Sequence, residues 1–231
     1  MKRCNNIQKL SDNPFLNLFH IDAMTRNGKK FDYYFASRNN EESLEAVTGI
    51  NKTNGIAIYT VRKENPNQLV MIKQFRYPIN DYMYEIPAGL IDEGENASQS
   101  AIREMKEETG LDMEVYTGGA DYFRRPMYLA QGLTDESTIM VYGTVEGSPN
   151  RDNLEDSEDI EVIFVDKTEA RRILAEEKVS ARASFMLMMF INSEADKPFE
   201  FLNKLLVFFY NSKGVIDKIS AAYYNEIGKL I

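Results

Sequence analysis

Gly89-Leu90-Ile91-Asp92-Glu93-Gly94-Glu95-Asn96-Ala97-Ser98-Gln99-Ser100-Ala101-Ile102-Arg103-Glu104-Met105-Lys106-Glu107-Glu108-Thr109-Gly110-Leu111 follows directly on Glu85-Ile86-Pro87-Ala88. Its first part is acidic and glycine-bearing, as a loop is, and a helical pattern runs over about 99–109. Ser98 stands where an N-cap belongs, and Gly110 where a left-handed residue ends a helix. On that helix Glu104, Glu107 and Glu108 fall at i, i+3 and i+4 and share a face. Ala101, Ile102 and Met105 lie on another face and are expected to dock on a sheet. Carboxylates crowded on one face destabilise a bare helix. Arg103 reaches only part of the cluster, and Lys106 points elsewhere. An acidic helix face is usually no more than solvated surface. Here Gly89 and Glu95 precede it on a loop, and Pro87-Ala88-Gly89 comes straight off a strand-like run. A loop–helix unit of this kind presents oxygen ligands to a hard cation such as Mg²⁺.

Outward from this segment the periodicity is mostly strand-like. Towards the N-terminus, runs at 69–75 and 56–61 precede a short run at 84–86. Asn27-Gly28 is a strong turn signal, and the aromatic-rich stretches 15–21 and 31–37 flank it, so a β-hairpin or meander is expected. Beyond the segment, strand-like runs fall at 113–116, 122–123, 138–145 and 160–165. Strands around one isolated helix predict a mixed α+β domain. After Asp166 helical spacing takes over at 168–175, 180–191, 199–210 and 215–230. The Met-rich run 185–190 is read as core packing.

The 231 residues suffice for one large domain or a domain with an appendage, at 43% hydrophobic and 27% charged residues. No apolar run approaches the roughly 20 residues that span a bilayer. The basic, then polar N-terminus lacks the apolar core of a secretory signal. Cys4 alone permits no internal disulfide and fits a reducing, cytoplasmic setting. His20 is the only histidine, which argues against a Ser-His-Asp triad or a multi-histidine zinc site. A net charge of −9 disfavours general nucleic-acid binding. It still permits a small phosphorylated substrate when cations lie between carboxylates and phosphates.

The quoted segment resembles the Nudix box, Gly-x5-Glu-x7-Arg-Glu-U-x-Glu-Glu-x-Gly-U with U a bulky aliphatic residue. Gly89, Glu95, Arg103, Glu104, Met105, Glu107, Glu108, Gly110 and Leu111 occupy every required position. The resemblance implies a Nudix-type α/β/α sandwich of mixed sheets over 49–192. It would carry an N-terminal antiparallel β extension at 1–48 and a helical C-terminal extension at 193–231. It further implies metal-dependent cleavage of a pyrophosphate linkage, with Mg²⁺ or Mn²⁺ held by Glu104, Glu107, Glu108 and the carbonyl of Ala88. Glu104 would thereby take part directly in catalysis. Arg103, pairing with Glu95 or a ligand carboxylate, would tie helix to loop, with Glu85 as a further supporting residue.

Gln74-Phe75-Arg76-Tyr77 followed by Glu85-Ile86-Pro87-Ala88-Gly89 resembles the ADP-ribose pyrophosphatase branch, as does Tyr33-Tyr34-Phe35-Ala36-Ser37-Arg38. That likeness implies a nucleoside-diphosphate-sugar substrate, a homodimer built on the N-terminal strands, and phosphate contacts from Arg38 and Arg76. Glu136 joins them as a substrate-side residue. The catalytic base would come from the acidic run 154–160, with Glu158 or Asp156 the candidates and Glu155 behind them. Two departures stand out. Gln131 replaces the branch's loop proline, and the extension from Phe199 exceeds its usual length. Other readings are another nucleoside-diphosphate sugar, a dinucleotide, or a nucleotide-sensing domain without turnover. The full set of box acids weighs against the last.

Overall fold

A computed structural model describes residues 3–154 and 158–203. Three strands, β1 (Cys4–Lys9), β2 (Asn17–Met24) and β3 (Lys30–Ser37), form an antiparallel N-terminal sheet in the order β1-β2-β3. The β2–β3 hairpin turns through Asn27-Gly28. Phe19, Ile21, Ala23 and Phe35 alternate onto one face and bury a small core with Leu44, just before the short helix α1 (Glu45–Thr48).

The main sheet holds β4 (Gly55–Arg62), β5 (Leu69–Arg76), β6 (Asp81–Glu85), β7 (Ala88–Leu90), β8 (Asp112–Val115), β9 (Met127–Tyr128), β10 (Ser137–Glu146) and β11 (Ile160–Val165). Its path is β11-β5-β4-β10-β8, with β6 on β5, β7 on β4 and β9 on β10. β4 and β10 run parallel, and every other pair is antiparallel. β4 is central, and its apolar run has no polar alternation because both of its faces are covered. Ile56 and Ile58 pack with Ala101 and Met105 of α2 (Ala97–Thr109) on one side. Ala57, Tyr59 and Val61 pack on the other with Ala170 and Ile173 of α3 (Lys167–Glu176) and Leu187 of α4 (Ala181–Asn192). The mixed α+β class with helices on both sheet faces is therefore observed. No helix among the described residues is long and apolar enough to cross a membrane.

Several local expectations need correction. α2 is capped by Asn96, not Ser98, and starts at Ala97. Asn96 accepts from the backbone N–H groups of Ser98 and Gln99, while the Gln99 side chain accepts from the Asn96 N–H. That reciprocal box needs Glu or Gln three residues after the cap, which a Ser98 cap would lack. Ile102 does not dock on the sheet but remains 45% exposed. Residues 122–123 lie in a 3-10 turn, Asp121–Arg124, rather than a strand. Helical spacing at 215–230, and at 199–210 beyond Asn203, lies outside the described residues.

Candidate active site

α2 ends on Gly110, which takes a left-handed conformation with φ 76°. Its acidic face meets β7, the strand just before the loop. Glu108 is 4% exposed, and its Oε2 accepts the Ala88 N–H at 3.1 Å. Glu104 lies over Gly89, where an added Cβ would fall onto its carboxylate. A side chain at 89 would displace that carboxylate, so helix and strand meet through an acid.

Arg103 organises the rest of the unit. Its Nη1 donates to Glu104 at 2.9 Å and to Glu107 at 2.8 Å, and its Nε donates to Glu95 at 3.1 Å. Its Nη2 reaches the Leu90 carbonyl at 3.0 Å, joining helix, loop and β7. Ser100 Oγ donates to the other oxygen of Glu95 at 2.7 Å. Hydrogen bonds from Arg103 and Ser100 hold the Glu95 carboxyl below its ordinary pKa.

The inner acids behave differently. Burial raises the Glu104 pKa, opposed by Arg103 and reinforced by the charges of Glu107 and Glu158. Burial pushes Glu108 well above the carboxylate range, with Glu104 adding to the effect. Two like charges, one buried and one half-buried, of which Arg103 bonds only Glu104, form a donor set that a hard divalent cation would compensate. Glu107 and the backbone of Ala88 adjoin it. The residues present fit such an ion.

A cavity of about 620 Å³ opens beside Ala88 and Gly89. Arg38, Arg76, Glu85, Glu136, Glu158 and Arg182 bring the charged groups to its wall. Arg76 makes a forked pair with buried Glu85, Nε to Oε1 at 2.6 Å and Nη2 to Oε2 at 3.1 Å. Glu85 therefore holds Arg76 rather than a box ligand. Arg38 Nε donates to Glu136 Oε1 at 3.3 Å across the cavity mouth. The loop carrying Gln131 is latched to β3, with the Ala36 N–H donating to Leu133 O at 2.8 Å and Tyr33 Oη donating to Gly132 O at 2.8 Å. The N-terminal sheet thus helps to shape the cavity.

Glu158 lies in the segment before β11, close enough for its charge to act on Glu104, Glu108 and Arg76. Asp156 and Glu155 lie outside the described residues. Arg182 was not anticipated from the sequence. It sits far along the chain, at the start of α4, and comes within 3.9 Å of Glu85 only through the fold. A lone cation in the small-residue run Ser180-Ala181-Arg182-Ala183-Ser184 was the available signal.

Residues 52–187, more than half of the chain, match the family model described as the NUDIX domain. The chain is 40% identical over 121 residues to the nudix hydrolase 2 protein of Caenorhabditis elegans, covering 49% of this chain and 52% of that one. It thus spans about half of that relative's length. It is 30% identical over 163 residues to the ADP-ribose pyrophosphatase of Saccharomyces cerevisiae, covering 69% of this chain and 68% of the yeast protein. A crystal structure of an ADP compounds hydrolase superposes with a TM-score of 0.53 at 17% identity, over 75% of this chain and 82% of that one, a likeness of fold alone.

Proposed function

This chain belongs to the NUDIX domain family, and we propose on that premise that it hydrolyses the pyrophosphate bond of a nucleoside-diphosphate-X compound, with ADP-ribose giving AMP and ribose 5-phosphate. The observation that carries the reading is buried Glu108 beside half-buried Glu104, set against Ala88 and Gly89 next to an arginine-bearing cavity. Glu104, Glu107, Glu108 and the Ala88 carbonyl would hold Mg²⁺ or Mn²⁺. When bound, such an ion neutralises phosphate charge and acidifies water. Arg103 and Glu95 keep the acids in place. Arg76, aligned by Glu85, and Arg38, aligned by Glu136, offer guanidinium donors to phosphate oxygens. Glu158, or a neighbour in the same acidic run, takes the proton of the attacking water.

Incubation with ADP-ribose, with and without Mg²⁺, tests this. AMP should accumulate only with the metal, and no AMP under either condition would refute the reading. Gln131 in the loop that ends at Glu136 favours a second reading, another nucleoside-diphosphate sugar or a dinucleotide. A panel including UDP-glucose and NADH ranks the substrates by kcat/KM.

Gly89→Ala should lower kcat at least roughly tenfold, because displacing a reacting group by about 1 Å can cost up to 100-fold. The Cβ has no space except that of the Glu104 carboxylate. A variant of normal rate would contradict that role for the close approach.

The protein is also proposed to be a homodimer whose interface includes residues 15–37. Phe15 is 75% exposed, and Leu16, Leu18, Phe31 and Tyr34 also present apolar surface. Light scattering at micromolar concentration should give twice the chain mass, and a monomer would refute it. The single cysteine suits a reducing compartment, and a cytoplasmic location is part of this reading.

A further inference from the structure

Arg182 is the charged group of the cavity wall that the reading above leaves without a task. It is the second residue of α4, capped by Ser180. There the positive end of the helix dipole disfavours a cation. Its side chain is only 26% exposed, yet a guanidinium brings five N–H donors that must find acceptors. Among the described residues its one ion pair is the contact with Glu85 Oε2, and 3.9 Å is too long for a hydrogen bond. Glu85 has already committed both oxygens to Arg76, at 2.6 and 3.1 Å. Two guanidiniums thus share one buried carboxylate, and Glu136 and Glu108 act on Arg182 only through their charge, with no ion pair among the described residues. Arg182 lines that cavity together with Arg76.

A purely structural arginine would be expected to bond its carboxylate directly, as Arg76 does. This one breaks a local helix rule, is largely desolvated, makes only the long Glu85 contact among the described residues, and lines a space for ligand. Such a combination suits a planar anion that can meet a fork of N–H groups.

We infer that Arg182, together with Arg76, grips one phosphoryl group of the substrate, making Arg182 a substrate-binding residue that selects diphosphate compounds; this rests on the pyrophosphate reading above. Arg76 supplies the fixed member, held by Glu85. Arg182 supplies the member that engages when an anion arrives.

The test compares wild type, Arg182→Gln and Arg182→Lys, with Arg171→Gln as a control on α3, where Arg171 donates only to a backbone carbonyl of its own helix. With ADP-ribose and saturating Mg²⁺, Arg182→Gln should raise KM at least tenfold and change kcat less than threefold. Arg182→Lys, which keeps the charge without the fork, should fall between. Calorimetry with α,β-methylene ADP-ribose and Mg²⁺ should show the same order in Kd, independent of turnover. Should the Gln variant fail to fold, as judged by its melting transition, the Lys variant carries the comparison. Wild-type hydrolysis with unchanged KM and Kd in the folded variants overturns the inference and spares the functional reading. Wild-type binding of the analogue that weakens in the variants, without any hydrolysis, does the reverse. Neither binding nor hydrolysis by wild type overturns both.

Discussion

Glu104→Gln and Glu108→Gln are each expected to lower kcat by at least about 100-fold at saturating Mg²⁺ while the protein stays folded. The two carboxylates are the inner members of the α2 face, and neutral amides are poor substitutes for charged oxygen ligands to a hard cation. The fold should survive because an amide keeps the shape and removes like-charge repulsion between the two acids. In Glu108→Gln the side-chain oxygen can still accept the Ala88 N–H, the bond that joins α2 to β7. In Glu104→Gln the close packing over Gly89 is retained. Melting curves separate lost chemistry from lost structure. Without metal the variants should melt within a few degrees of wild type, while the rise produced by added Mg²⁺ should shrink in both. Near-normal kcat in both variants would remove Glu104 and Glu108 from the machinery and take the metal reading with them.

The shared acidic face of α2 was legible because side-chain spacing on a helix is a property of the local sequence. Glu104, Glu107 and Glu108 had to share a face once the segment was helical, and Gly110 ends it in the conformation its position suggested. The start of α2 was readable in principle. Asn96 with Gln99 satisfies a reciprocal box, a constraint stronger than the mere presence of Ser98. Ile102 illustrates a different limit. It adjoins Ala101 in sequence, but a helix turns about 100° per residue, enough to carry it from the sheet towards solvent. β1 was missed because its sequence, Cys4-Asn5-Asn6-Ile7-Gln8-Lys9, is mainly polar, and its stability comes from pairing with β2.

The arginines mark where local reading stops. Arg76 was picked out for phosphate by its neighbours in sequence, yet its alignment by Glu85 depends on antiparallel pairing between β5 and β6. Arg182 comes from a helix on the far side of the main sheet from α2, and only the three-dimensional closure of the cavity gives it a partner. No periodicity within its own segment carries that information. Likewise, Arg38 meets Glu136 because the N-terminal sheet docks against a loop nearly a hundred residues away. Residues whose role depends on long-range contact are therefore the ones a single sequence conceals.

Replacing the proton acceptor should lower kcat far more than it raises KM. Glu158, proposed above for that task, lines the cavity, and its charge reaches Arg76 and both inner acids. The substrate is held mainly by cations and guanidiniums, so an amide at 158 should leave ground-state binding nearly unchanged. A positioned general base is worth about 10²–10⁴ in rate, and Glu158→Gln is expected within that range with KM shifted less than threefold. Asp156 and Glu155 share its acidic segment, and a neighbour that substitutes in part would shrink the loss in the single variant. For that reason Asp156→Asn is measured alone and combined with Glu158→Gln, and the combined variant should be the slowest. Mg²⁺ affinity should persist in all three, since the proposed ligands lie on α2 and β7. If the combined variant turns over its best substrate at the wild-type rate, the acidic segment does not hold the base. Glu136, on the same cavity wall and paired with Arg38 at 3.3 Å, would then be the next carboxylate to replace.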